Sequence, residues 1–71
     1  MMHPWVEVRS DHDYIGHPLA FDWQGMRLEV TEIISHTRNP HGYSFLVLNQ
    51  NFGIFELYYE IQSDHWSVNQ L

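Results

Sequence analysis

The chain has 71 residues and a net charge of -6, with 44% hydrophobic and 15% aromatic side chains, so it is one small acidic domain with enough apolar mass to fold. It contains no cysteine, which excludes a disulfide scaffold and any thiolate metal site. It contains no lysine either, and its three arginines, Arg9, Arg27 and Arg38, are too few to neutralise many phosphates, which argues against a nucleic-acid partner.

In chain order, short runs rich in Val, Ile, Phe, Tyr and Trp are separated by breakers at Pro4, Gly16-His17-Pro18, Gly25, Asn39-Pro40-His41-Gly42 and Gly53. Ala20 is the only alanine, so two strong helix formers are nearly missing. Period-two alternation predicts strands over residues 5–9, 18–23, 26–36, 43–48, 54–61 and 66–70. A two-residue Gln24-Gly25 loop pairs Trp23 with Met26, Phe21 with Leu28, Leu19 with Val30 and, on the other face, Asp22 with Arg27. The third run changes phase at Ile33-Ile34, which predicts a bulge near Thr31-Glu32. A loop over residues 49–53 pairs Val47 with Phe55, Phe45 with Leu57 and Tyr43 with Tyr59. A final loop over residues 62–65 pairs Ile61 with Trp66 and Tyr59 with Val68.

The expected inner face is Leu19, Phe21, Trp23, Met26, Leu28, Val30, Phe45, Val47, Phe55, Leu57, Tyr59, Ile61, Trp66 and Val68, joined by Val6 and Val8. The fold class is therefore all-β: a strongly bent antiparallel meander of five or six strands, SH3-like or a partly open barrel. It spans residues 1–71 with an ordered core over about 5–70. An open sheet covered by a short helix is the alternative.

Three stretches carry a resemblance. Pro18-Leu19-Ala20-Phe21-Asp22-Trp23-Gln24-Gly25, then Val30-Thr31-Glu32-Ile33, and Phe55-Glu56-Leu57-Tyr58-Tyr59 followed by Trp66 resemble a bacterial family of small uncharacterised all-β domains. A related domain is similar to the C-terminal segment of inactive Y-family DNA polymerase-like proteins in mutagenic repair. The resemblance covers about residues 5–68 and implies a β fold, a bacterial source and a possible nucleic-acid adaptor role in DNA repair, with no catalytic residue. The family's arginines around the first hairpin are reduced here to Arg27, which weakens the implied link to DNA.

Chemistry-bearing residues are sparse. The six histidines, His3, His12, His17, His36, His41 and His65, are possible metal ligands or pH sensors. Asp11-His12-Asp13 gathers three of the right types, but no pair has a recognised metal spacing, and most sit among loop residues, so no metal or other cofactor is expected. No serine lies in a nucleophile elbow, and alternate glutamates on strands normally mark a wet face, so no enzyme is expected. Trp5, Tyr14 and Tyr58 are the residues that could stack on bases.

What remains is association with protein. The preferred register leaves Leu46, Leu48, Ile54 and Tyr58 together on the outer face, with Ile33 or Ile34 nearby. Such a patch is either a binding surface or a second layer of core under the first strand or the 10–17 loop. The partner is unknown, and a weak homodimer through this patch is one expectation. No apolar run approaches the roughly 18 residues of a membrane span. The first residues lack the basic start and apolar core of a leader, so a cytoplasmic location is expected.

Overall fold

The computed structural model describes residues 4–9 and 16–71. Among the described residues, seven antiparallel strands form two sheets that follow chain order. The first sheet holds β1 (Val6–Arg9), β2 (His17–Trp23) and β3 (Met26–Glu29). The second holds β4 (Glu32–Asn39), β5 (Gly42–Asn49), β6 (Gly53–Glu60) and β7 (His65–Gln70). The architecture is all-β and strongly bent, with two open sheets in place of a closed barrel. No helix occurs among the described residues, so the helix-covered alternative is not the arrangement adopted.

The expected third strand over residues 26–36 is two strands. The chain turns a corner at Val30-Thr31, and the hydrogen bonds show how. The Val30 amide donates back to the Leu19 carbonyl of the first sheet at 2.9 Å, while the Thr31 amide donates to Leu48 of the second at 2.8 Å. Adjacent residues thus serve different sheets. Asn49 locks the corner. Its side-chain nitrogen donates to the Glu29 carbonyl at 2.9 Å, and its Oδ1 accepts from the Asn51 and Phe52 amides. Among the described residues Asn49 is the one buried polar side chain, and both its nitrogen and its oxygen are hydrogen-bonded, as burial requires. The bulge exists, but further along, where the register slips between Ile33 and Ser35. It absorbs Ile34, so that Ile33 and then His36 both face inward three positions apart.

Two hairpin registers are as the sequence predicts. Phe21 pairs with Leu28, Asp22 with Arg27 and Trp23 with Met26. Their loop needs positive φ at both Gln24 (52°) and Gly25 (85°). Gln is a poor residue there, and the Gly25 amide is held by Asp22 Oδ1 at 3.1 Å. Val47–Phe55, Phe45–Leu57 and Tyr43–Tyr59 also pair as expected. The last hairpin differs. Its loop is residues 61–64, so Tyr59 meets Trp66 and Leu57 meets Val68, two places from the expected register. That shift turns Ile61 out of the core and into an exposed loop.

One core joins the sheets. Phe21 and Leu28 pack against Phe45, Val47, Phe55 and Leu57, with Val6, Trp23, Val30, Ile33, Tyr43, Trp66 and Val68 around them. Phe55 is central, 4.9 Å from the Phe21 ring and 5.1 Å from that of Trp23. Each buried phenylalanine is worth about 2–3 kcal/mol in area removed from water. A domain of this size retains only about 3–5 kcal/mol net, so none of the three is dispensable. Leu19 and Met26 are exposed, contrary to expectation. For Leu19 the cause is a second bulge. Glu7 pairs with Ala20 and Val8 with Pro18, leaving Leu19 between them without a ladder partner. Met26 lies at the end of the hairpin, beside the turn.

Candidate functional site

The four predicted patch residues fall on one surface. Because Phe45, Val47, Phe55 and Leu57 fill the core, their alternates on β5 and β6 point away from it. The cross-strand pairs arrange this outer face in rows. One row runs Glu32, Leu48, Ile54, with the Leu71 amide bonded to the Ile54 carbonyl at the far edge. The next runs Ser35, Leu46, Glu56, Asn69, and the third Thr37, Ser44, Tyr58, Ser67. No other strand of the described residues lies over these rows. Ile54 is 38% exposed and Leu71 72%, while Leu46, Leu48 and Tyr58 are half-buried by their neighbours.

Tyr58 packs over Gly42. A Cβ on Gly42 would sit 2.9 Å from the Tyr58 hydroxyl and 3.0 Å from its ring, and would collide with the Tyr59 carbonyl. Tyr58 therefore lies across the space that Gly42 leaves empty. Glu56 interrupts the apolar residues. It faces Leu46, is half-buried, and accepts a hydrogen bond from Ser44 Oγ at 3.1 Å. Alternation along the predicted strand already puts Glu56 between Ile54 and Tyr58, and the structure adds its partial burial and its Ser44 donor.

The opposite face of the same sheet carries a feature the sequence reading files under core. Tyr43, Tyr59 and Trp66 form a half-buried aromatic stripe, with ring centroids 6.3 Å apart for the first pair and 5.1 Å for the second. Arg38 lies 5.7 Å over the Tyr43 ring, and His36 packs 6.0 Å from Phe45. The Tyr59 hydroxyl donates to Asp64, and this bond, ahead of burial, raises the phenol above its ordinary value of 10.0. Of the expected stacking residues, Trp5 is exposed before β1, Tyr58 is on the other face, and Tyr14 lies outside the described residues.

Two other features are structural. A cleft of about 270 Å³ at the sheet corner is lined by Arg27, Glu29, Thr31 and Asn49 among others. Arg27 is bonded to Glu7 at 2.8 Å and Glu29 at 3.4 Å, Thr31 Oγ1 accepts from the Gln50 amide, and Asn49 is saturated. Among the described residues no three of His, Asp and Glu gather as metal ligands, and the Asp11-His12-Asp13 cluster lies outside them. No described helix is long and apolar enough to cross a membrane. The chain matches no known protein family, no curated protein and no solved structure. The resemblance drawn from the 18–25, 30–33 and 55–59 stretches therefore rests on those residues alone.

Proposed function

We propose that this chain is a non-enzymatic protein-interaction module of the bacterial cytoplasm that binds through the outer face of its four-stranded sheet, the bacterial source resting on the sequence resemblance. One observation carries the reading. β5 is apolar on both faces, and only the face bearing Phe45 and Val47 is covered by the three-stranded sheet. Strands buried on one side normally alternate with polar residues on the other. Leu46 and Leu48 break that rule where Ile54 and Tyr58 lie beside them. An apolar surface kept on a small domain marks a contact site.

The test is a charge-neutral double substitution, Leu46→Lys with Ile54→Glu. The expected variant is a folded monomer that fails to retain whatever wild type captures from the native cell extract. Loss of the β-sheet circular dichroism signal would instead assign these residues to the core and end the reading.

A nucleic-acid adaptor is the second reading, favoured by the Tyr43–Tyr59–Trp66 stripe and Arg38. The net charge of -6 opposes it. Submicromolar binding to single-stranded DNA that weakens with added salt and is lost in Trp66→Ala would establish it over the protein partner.

A further inference from the structure

We infer that the outer face docks a short cationic, amphipathic segment of another protein, with aliphatic side chains seated on Leu46, Leu48 and Ile54 and a lysine or arginine paired with Glu56. This rests on reading that face as an interface, and adds what the partner must look like.

Charge is the first argument. Glu32, Glu56 and Glu60 all point from this face, since they pair with Leu48, Leu46 and Gly42. None of the three arginines does. Arg9 belongs to the first sheet, Arg27 is engaged by Glu7 and Glu29 there, and Arg38 lies over Tyr43 on the inner side. Among the described strand residues the basic side chain on the face is His65, at its far end opposite Glu60. Glu56 is the focus: half-buried between Leu46 and Ile54, it accepts from the Ser44 hydroxyl and is paired with no arginine or histidine among the described residues. A carboxylate among apolar groups gains most from an incoming cation, because the field is least screened there.

Size is the second argument. The three rows cover three strand spacings of about 4.8 Å and two steps of about 6.7 Å, a footprint of roughly 200–300 Å². A stable interface between globular partners takes about 800 Å² per side. The face is too small for a rigid second copy, which would also set Glu56 and Glu32 against their own images. It suits two or three turns of helix or a short strand. Tyr58, packed over Gly42, adds an aromatic anchor.

The probe is a fluorescent twelve-residue peptide of alternating leucine and lysine. Its anisotropy is followed at pH 8, where imidazole is neutral, and at peptide concentrations where it stays monomeric. The expected result is salt-sensitive micromolar binding that weakens at least fivefold in Glu56→Gln and less than twofold in Glu29→Gln, which removes the same charge from the other sheet. Glu56→Lys should in turn gain affinity for the leucine–glutamate peptide of the same pattern. Equal weakening by Glu56→Gln and Glu29→Gln would reduce the effect to overall acidity and overturn the inference. So would a wild-type dimer that Glu56→Gln tightens, since the occupant would then be a second copy. If the lysine peptide fails to bind while the folded Leu46→Lys, Ile54→Glu variant still loses its captured partner, the cationic segment is wrong and the interface reading stands.

Discussion

Tyr59 shows how much a single side chain does here. Its ring joins Tyr43 to Trp66, and its hydroxyl reaches across the last hairpin to Asp64, a residue with φ of 57° in a four-residue loop. Aspartate tolerates that left-handed conformation better than most residues, so the loop geometry and the hydrogen bond favour the same side chain. The bond to Asp64 holds the phenol protonated, and burial and the Asp64 charge act in the same direction. A group whose folded pKa is raised stabilises the fold fully below its unfolded pKa and loses that contribution as pH rises through the folded one. For Tyr59 the window therefore opens above pH 10, and stability at neutral pH is untouched. The expected outcome of Asp64→Asn is a phenolate transition at lower pH, read by ultraviolet absorbance at 295 nm with Tyr59→Phe identifying the band. An unmoved transition would mean that Asp64 does not hold the hydroxyl in solution.

At the scale of elements, the junction between the sheets matters more than any one strand. Asn49 links the end of β3 to the β5–β6 loop through one donated and two accepted hydrogen bonds. Asn39 uses its Oδ1 in the same way at the β4–β5 turn, accepting from His41 and Gly42, but it has no reach to the other sheet. Asn49→Ala removes all three bonds and leaves the Glu29 carbonyl without this donor. At about 0.5–1.5 kcal/mol net per bond, partly replaced by water in the exposed loop, the loss is about 2 kcal/mol. That lowers the melting temperature by about 10 °C in a domain of this size. Asn39→Ala should cost visibly less, and equal losses for the two would refute the role of Asn49 as a clasp. The contrast also shows what could be read in the sequence. Cross-strand pairing of like side chains set the registers of the β2–β3 and β5–β6 hairpins, because a wrong register would have put Arg27 or Glu56 into the core. The β6–β7 register was not readable. Ile61 and Tyr59 are both plausible inward residues, and only the loop backbone chooses between them. The corner at Val30-Thr31 showed only as the change of phase that reads as a bulge near Thr31-Glu32. It is made by two backbone amides facing different sheets, and side-chain alternation does not distinguish such a corner from a bulge within one strand. The register that placed Leu46, Leu48, Ile54 and Tyr58 on one face also set Glu56 opposite Leu46, but not its partial burial or its bond from Ser44, which depend on side-chain packing.

For the whole molecule, charge and the exposed face act together. Nine carboxylates against three arginines give -6 at neutral pH, and this repulsion opposes the approach of copies through the exposed Ile34, Ile54 and Leu71. Six histidines change that balance. The sequence pI of about 5.2 means that the net charge falls toward zero between pH 7 and pH 5. With repulsion gone, the apolar face becomes free to associate, and solubility should pass through a minimum near pH 5 and recover in stronger acid as the carboxylates protonate. Loss of charge alone and loss of charge acting on a sticky face give the same minimum, and the Leu46→Lys, Ile54→Glu pair separates them. It adds one cation and one anion, so the pI stays put while two aliphatic side chains leave the face. Light scattering across pH 4 to 8 should show wild type aggregating near pH 5 and the folded double variant staying clear. If both scatter alike, the association runs through some other surface, and the outer face of β5 and β6 is not where copies of this protein meet in acid.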